Sequence, residues 1–475
     1  MSKKKFLTTV LAAILAAGLL TPTAMGCFAV VVGKKASTDG SVLLGHNEQN
    51  DGQRFLNFRK IPRIEHKDGE MITLRGGARI PQVKQSYSFL WSENPGLTFS
   101  DAYFNEWGLA VVSDGCPDRD EELEKLEKEG QLVKGGITYM LRRLIAERAR
   151  TAREGVDVAT EIIMQVGYPS SRTLVIADPH EAWLLSISRG KNWVAQRVGD
   201  NQVVLLPNVY IIGEINLQDK DNFLASPGLV KNAINKGWYN HSDKEPFSFC
   251  RAYSQPRESL LDLRQWRAQC LVTKKTISEI PDRRLPFSVK PARKLSVKNV
   301  IEILRCHGKG GICSDILQEA AVFQLRSNMP PEIGCVCWRS STEPCTSVLT
   351  PWYCGISKTP KEYYKPADVM ENLTLKCHFS QSPQKFAPDD KHAWWVFKDL
   401  QDAVRTDYDN RISTVRKVWD KFEAKLFADQ PAVEKTALML YKKDKSAAVG
   451  YLTEYSRYTA LKAVSEAREM TEKLK

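Results

Sequence analysis

The chain lacks the short signatures that mark several hydrolase and nucleotide-binding classes. There is no G-x-S-x-G elbow, no H-E-x-x-H pair and no phosphate-binding loop, which argues against serine α/β-hydrolases, zincins and P-loop enzymes. The Ser-x-x-Lys near a turn, Ser188 to Lys191, reads as a chance match. Histidine is scarce at seven residues, and His46, His66, His180, His241, His307, His378 and His392 show no close metal-ligand pairing. With no acidic cluster at ligand spacing either, no metal and no cofactor are expected. No Lys/Arg run exceeds Lys3-Lys4-Lys5, and the 68 basic residues are interleaved with 56 acidic ones. The net charge of +12 is therefore not a nucleic-acid footprint. Internal repeats and low-complexity linkers are absent. With 43% hydrophobic and 26% charged residues over 475 positions, the chain is globular and long enough for one large domain.

The most informative stretch is the N-terminus. Residues 1–26 read as a signal peptide, with basic Lys3, Lys4 and Lys5, an apolar run from Phe6 to Leu20 and a small-residue tail from Thr21 to Gly26. The apolar run is short for a membrane span. Ala24 and Gly26 stand at minus three and minus one to Cys27, so removal leaves Cys27 as the first residue. Three readings of that cysteine compete. It is a lipidation site, although Ala24 and Met25 depart from a lipoprotein box; it is a structural cysteine, with cleavage elsewhere; or it is an N-terminal nucleophile whose own α-amine takes the thiol proton.

Cysteine count adds to this. Beside Cys27 stand Cys116, Cys250, Cys270, Cys306, Cys313, Cys335, Cys337, Cys345, Cys354 and Cys377. In an exported chain this even set predicts up to five disulfides, concentrated in the segment 306–377. Cys335 and Cys337, two apart in a strand, share a face and need different partners.

Along the chain, Cys27 to Val32 and Ser41 to Leu44, joined through the Thr38-Asp39-Gly40 turn, predict a hairpin with Cys27 at its start. Further strands are expected at 98–103, 109–113, 173–177, 182–187, 193–198 and 202–206, and their short connections favour antiparallel sheet. Helical spacing runs through 136–166, with Arg142, Arg143, Arg148 and Arg150 read as a solvated basic face, and again at 297–305. The segment 306–377 reads as turn-rich, and the chain ends in helices.

The order of these segments resembles the peptidase family C69 dipeptidases, relatives of the secernins among the N-terminal nucleophile hydrolases. The resemblance starts with Cys27-Phe-Ala-Val-Val-Val-Gly-Lys-Lys-Ala-Ser-Thr-Asp-Gly-Ser-Val-Leu-Leu-Gly-His-Asn-Glu48. It continues through Asn105-Glu-Trp-Gly-Leu-Ala110, Ile176-Ala-Asp-Pro-His-Glu-Ala-Trp183 and Thr346-Ser-Val-Leu-Thr-Pro-Trp-Tyr353. It implies an α+β fold, a four-layer αββα sandwich of two antiparallel sheets, here with a disulfide-rich segment. The implied divisions are a signal peptide 1–26, a hydrolase domain 27–396 and a helical appendage 397–475. By the same resemblance Cys27 attacks the scissile carbonyl of a dipeptide, its amine relays the proton and a thioester forms. Asn208 matches an oxyanion-hole amide, and an arginine in Leu263-Arg-Gln-Trp-Arg267, with Arg267 favoured, matches one near the nucleophile.

Acylase relatives carry Arg-Asn-x-Asp after the second strand, where this chain reads His46-Asn47-Glu48-Gln49-Asn50-Asp51. In register, His46 replaces the arginine and Gln49 the aspartate, with Glu48 or Asp51 supplying the carboxylate. Asn47, Glu48, Asp51 and Asp114 are candidate substrate-binding residues, since a dipeptide presents a free amine and a free carboxylate over a short span. The expected product is an exported, periplasmic or extracellular, cysteine-dependent dipeptidase acting on small peptides, with no nucleic-acid partner and no stable membrane span; homo-oligomerisation stays open. The alternatives are an amidase or acylase on N-acyl compounds and a non-catalytic lipid-anchored binding protein.

Overall fold

The computed structural model describes residues 26–49, 55–95, 100–119, 121–240, 242, 245–256, 261–278, 280–281, 284–365 and 387–475. Its centre is the strand Phe28–Val32, five residues with three valines, every one buried. A run apolar on both faces suits a strand covered on both sides. It pairs with Val42–Gln49 on one side and Val203–Leu206 on the other. The connection to Val42–Gln49 turns through Asp39, whose Oδ1 accepts from the Ser41 amide at 3.1 Å, and Gly40, at φ 78°.

The first sheet has seven antiparallel strands, in the order Ser288–Val289, Val203–Leu206, Phe28–Val32, Val42–Gln49, Leu317–Leu325, Cys335–Ser341 and Thr350–Tyr353. The second has eight, in the order Phe223–Ala225, Trp193–Arg197, Ala182–Ile187, Arg172–Ala177, Ala110–Gly115, Ser100–Asn105, Phe89–Glu93 and Asn57–Ile61. Alternation assigns their faces. Ala110 and Val112 join the core between the sheets, whereas Leu109 and Val111 pack with helices Met140–Arg148 and Ala152–Val166. Rings cross the interface, Phe104 to Phe323 at 5.3 Å and Phe58 to Trp352 at 5.0 Å. Helix Val297–Leu304, opened by the Ser296/Asn299 capping box, covers the outer face of the first sheet. It sits so close to Gly45 that a Cβ there would collide with Val300. The result is the expected αββα sandwich.

The segment 306–377 departs from expectation. No disulfide joins any of the ten described cysteines to another, and Cys377 lies outside the described residues. Instead of a bridged, turn-rich region, 317–353 supplies three strands of the first sheet. Main-chain ladders and packing hold it: Cys335 and Cys337 are buried in a strand, and Cys354 N donates to Cys335 O across the ladder at 3.0 Å. The basic-face reading of the helix at 140–148 also needs correction for Arg142, which is buried. Its guanidinium donates to Ser113 Oγ beneath the second sheet and lies 5.4 Å from the Tyr139 ring.

Helices Ala393–Arg405, Tyr408–Lys443 and Lys445–Leu474 follow. They share the first sheet's core: Trp419 is fully buried, Trp338 stacks on Phe427 at 4.3 Å, and Arg305 and Arg326 form paired hydrogen bonds to Glu423 and Glu434. Among the described residues no helix is long and apolar enough to cross a membrane.

Candidate active site

Cys27 stands immediately before the central strand, with 8% of its surface exposed. Its register neighbours decide what it meets. Phe28 pairs with Asn47 and Ala29 with His46, so the next step along the ladder brings Cys27 to Glu48. Cys27 Sγ lies 3.4 Å from Glu48 Oε1 and accepts from the Gln49 amide at 3.4 Å.

His46 and Glu48, two apart, share the face that looks into the sandwich. His46 Nε2 lies 3.8 Å from Glu48 Oε2 and 3.0 Å from Asp114 Oδ1, and all three residues are buried. Asp114 belongs to the second sheet on the same inward face as Ala110 and Val112, so this hydrogen bond ties the two sheets together beside the thiol. His46 is thus held between two carboxylates. Cys27, His46 and Glu48 offer ligand atoms within 4.8 Å of one another. A thiophilic ion from solution could therefore bridge them and block the thiol.

Asn47, between His46 and Glu48, points to the opposite face. Its Nδ2 donates to Leu304 O at 2.9 Å and Ile312 O at 3.4 Å, behind the sheet. The substrate-binding expectation for Asn47 is thus replaced by a bracing role, because strand alternation sends its side chain away from the thiol. Asp51 lies outside the described residues.

Asn208 follows the strand Val203–Leu206 and reaches the site. Its Nδ2 donates to Gly115 O at 3.0 Å and its Oδ1 accepts from Arg264 Nη2 at 3.2 Å. Arg264 Nη1 donates to Gly26 O at 2.7 Å and Cys27 O at 3.3 Å. The arginine beside Cys27 is therefore Arg264. Arg267, favoured from the sequence, lies about one helical turn on, near the Gly310 loop and Cys306. Helix phase separates them: Asp262 caps helix Leu263–Thr273, and Arg264 shares its inward stripe with Ala268 and Val272, both buried. That i, i+4, i+8 spacing was the available signal for Arg264.

The other thiols differ in environment. Burial pushes the Cys116 thiol up to about 12, with Thr173 Oγ1 at 3.3 Å, and desolvation also raises Cys250, Cys306 and Cys337. Such thiols are poor nucleophiles.

Fold and site together define a cysteine-type hydrolase. The chain belongs to peptidase family C69, whose pattern matches residues 26–318. It is 25% identical to a probable dipeptidase B of Streptococcus pyogenes serotype M1 over 74% of this chain and 76% of that one. It is 24% identical to a probable dipeptidase of Latilactobacillus sakei over 80% and 81%, and 25% identical to a probable dipeptidase of Salmonella dublin over 72% and 83%. Among solved structures it matches a conjugated bile acid hydrolase from Clostridium perfringens at TM-score 0.33 and 10% identity, covering 66% of this chain and 89% of that one. Penicillin V acylase from Agrobacterium tumefaciens matches at TM-score 0.32 and 12% identity, covering 69% and 86%.

Proposed function

We propose that this chain is an exported dipeptidase, periplasmic or extracellular, in which loss of residues 1–26 makes Cys27 an N-terminal nucleophile. The observation that carries the reading is the Cys27 thiol at the head of the central strand, directly after a cleavage-type sequence and against Glu48 and the Gln49 amide, with Arg264 on the Cys27 carbonyl oxygen. The dipeptidase names of its relatives supply the substrate class.

In this mechanism the α-amine, with an ordinary pKa of about 7.7–8.0, takes the thiol proton. Sγ attacks the scissile carbonyl, the amine passes the proton to the departing amino group, and water hydrolyses the thioester. The Gln49 amide, which donates to Sγ, favours the thiolate, and the Arg264 guanidinium adds positive charge at the adjoining Cys27 carbonyl. Glu48 orients the α-ammonium. Asn208 Nδ2 donates one hydrogen to Gly115 O, which leaves a second for the oxyanion. Cleavage also removes Gly26 O from Arg264 Nη1, which then faces the carboxylate end of a dipeptide.

The test is N-terminal sequencing and intact mass of the secreted protein, with dipeptide hydrolysis before and after alkylation. A chain that begins at unmodified Cys27 and loses activity on alkylation there supports the proposal. A diacylglyceryl mass on Cys27 overturns it, because an acylated nitrogen is not a base.

Two variants sharpen it. Arg264→Ala is expected to lower kcat/KM by about 10²-fold, with the thiol alkylating at higher pH, while Arg267→Ala stays within a few-fold of wild type. Equal losses from both would remove Arg264 from the site. At Gly26 a Cβ would collide with the Asn208 carboxamide in the folded, uncleaved chain, whereas alanine at minus one suits a signal peptidase. Gly26→Ala is therefore expected to mature normally at Cys27. Accumulation of full-length Gly26→Ala precursor would instead assign the cleavage to the folded chain itself.

A further inference from the structure

Behind the strand carrying His46 and Glu48, the bracing Asn47 grips both ends of a loop, at Leu304 O and Ile312 O. His307 lies within this loop and Cys313 directly follows it. Cys345 comes from the connection after the strand Cys335–Ser341. Sequence spacing hid their relationship, because Cys313 and Cys345 stand 32 positions apart.

In the fold these three residues offer ligand atoms all within 4.8 Å of one another. Both cysteines are buried and His307 is half-buried. Leu317, Tyr408 and Ile412 wall the cluster. Tyr408 Oη and His307 Nε2 are hydrogen-bonded at 3.1 Å, which fixes the imidazole. The adjacent charges cancel: buried Glu343 accepts from Arg405 Nε at 3.0 Å.

We propose that His307, Cys313 and Cys345 form a site for a soft divalent ion, zinc by the chemistry of its donors. Two thiolates and an imidazole are a zinc ligand set, with sulfur about 2.3 Å and nitrogen about 2.0–2.1 Å from the ion. Tetrahedral coordination at those lengths sets the donors roughly 3.4–3.8 Å apart, a spacing that the cluster reaches by small side-chain movement. Binding releases the two thiol protons, so thiolates and dication sum to zero charge in a buried place. A disulfide would use the two sulfurs and leave idle an imidazole that converges on the same point. Tyr408 acts as the outer partner that orients a metal-bound histidine. Such an ion joins the loop behind the active-site strand to the 342–349 connection and, through Tyr408, to the first turn of helix Tyr408–Lys443.

The test uses the full-length mature protein. Elemental analysis is expected to give one zinc per chain, released in step with thiol titration by a mercurial. The metal-free protein refilled with cobalt(II) is expected to show thiolate-to-cobalt charge-transfer absorption in the near ultraviolet. Cys313→Ser, Cys345→Ser and His307→Gln lose the ion or alter that band, whereas Cys27→Ala keeps both. Three results overturn the proposal: no cobalt band from wild-type protein, an ion that disappears with Cys27→Ala, or unreduced peptide maps showing Cys313 bonded to Cys345. The wild-type measurements decide the matter even where a variant fails to fold.

Discussion

Replacing Cys27 by alanine is expected to reduce kcat/KM on dipeptides by at least about 10⁴-fold, or roughly 5.5 kcal/mol of transition-state stabilisation. In the proposed mechanism the variant removes the atom that forms the acyl bond. Cys116, the next thiol along the chain near this end of the sandwich, is buried on Thr173 and held protonated up to about 12. Cys27→Ser should fall between wild type and alanine, since a hydroxyl beside the same amine is a weaker nucleophile at neutral pH. Steady-state hydrolysis of a dipeptide panel, with the N-terminus of each variant sequenced, checks both. Alanine activity within tenfold of wild type would remove the nucleophile role from Cys27.

The largest expected effect on stability lies at Arg339 and Glu319. Arg339 Nε donates to Glu319 Oε2 at 2.6 Å with both side chains almost fully buried, and Ser92 Oγ of the second sheet donates to the same oxygen at 2.5 Å. The guanidinium also lies 4.5 Å from the Phe58 ring. Arg339→Met leaves a buried carboxylate without its cation and is expected to cost about 3–5 kcal/mol in urea unfolding. Adding Glu319→Leu should recover most of that loss, because the penalty comes from the stranded charge. A double variant no more stable than Arg339→Met would show that the ion pair itself holds the sheets.

How much of this was legible in the sequence depends on the kind of signal. The hairpin at Cys27, the strands near 173–206 and the helices at 140–166 and 297–304 follow from local patterning and turn residues. The strand Leu317–Leu325 did not, because polar residues interrupt its apolar pattern and its pairing is long-range: Ala321 stands opposite His46. His46, Glu48 and Asn208 could be named from the resemblance, yet strand alternation had to separate Glu48 from Asn47. Asp114 could be named but not joined to His46, since that bond crosses between sheets. Arg264 lost to Arg267 on helix phase, a question that the cap at Asp262 answers. Arg142 looked solvated because the burial of its outer face depends on Ser113 of a distant strand.

The strand order also sets a timetable. Phe28–Val32 pairs with residues 203–206, and its neighbour Val42–Gln49 pairs with residues 317–325. The innermost strands of the first sheet must therefore wait for partners some 170 and 275 residues later in the chain, and the last helices complete the same core. Contacts this distant form slowly, after most of the polypeptide has emerged. A leader clipped during translocation would be cut from a chain whose Asn208 and Arg264 have not yet arrived, and the pocket would then assemble around a terminus already free.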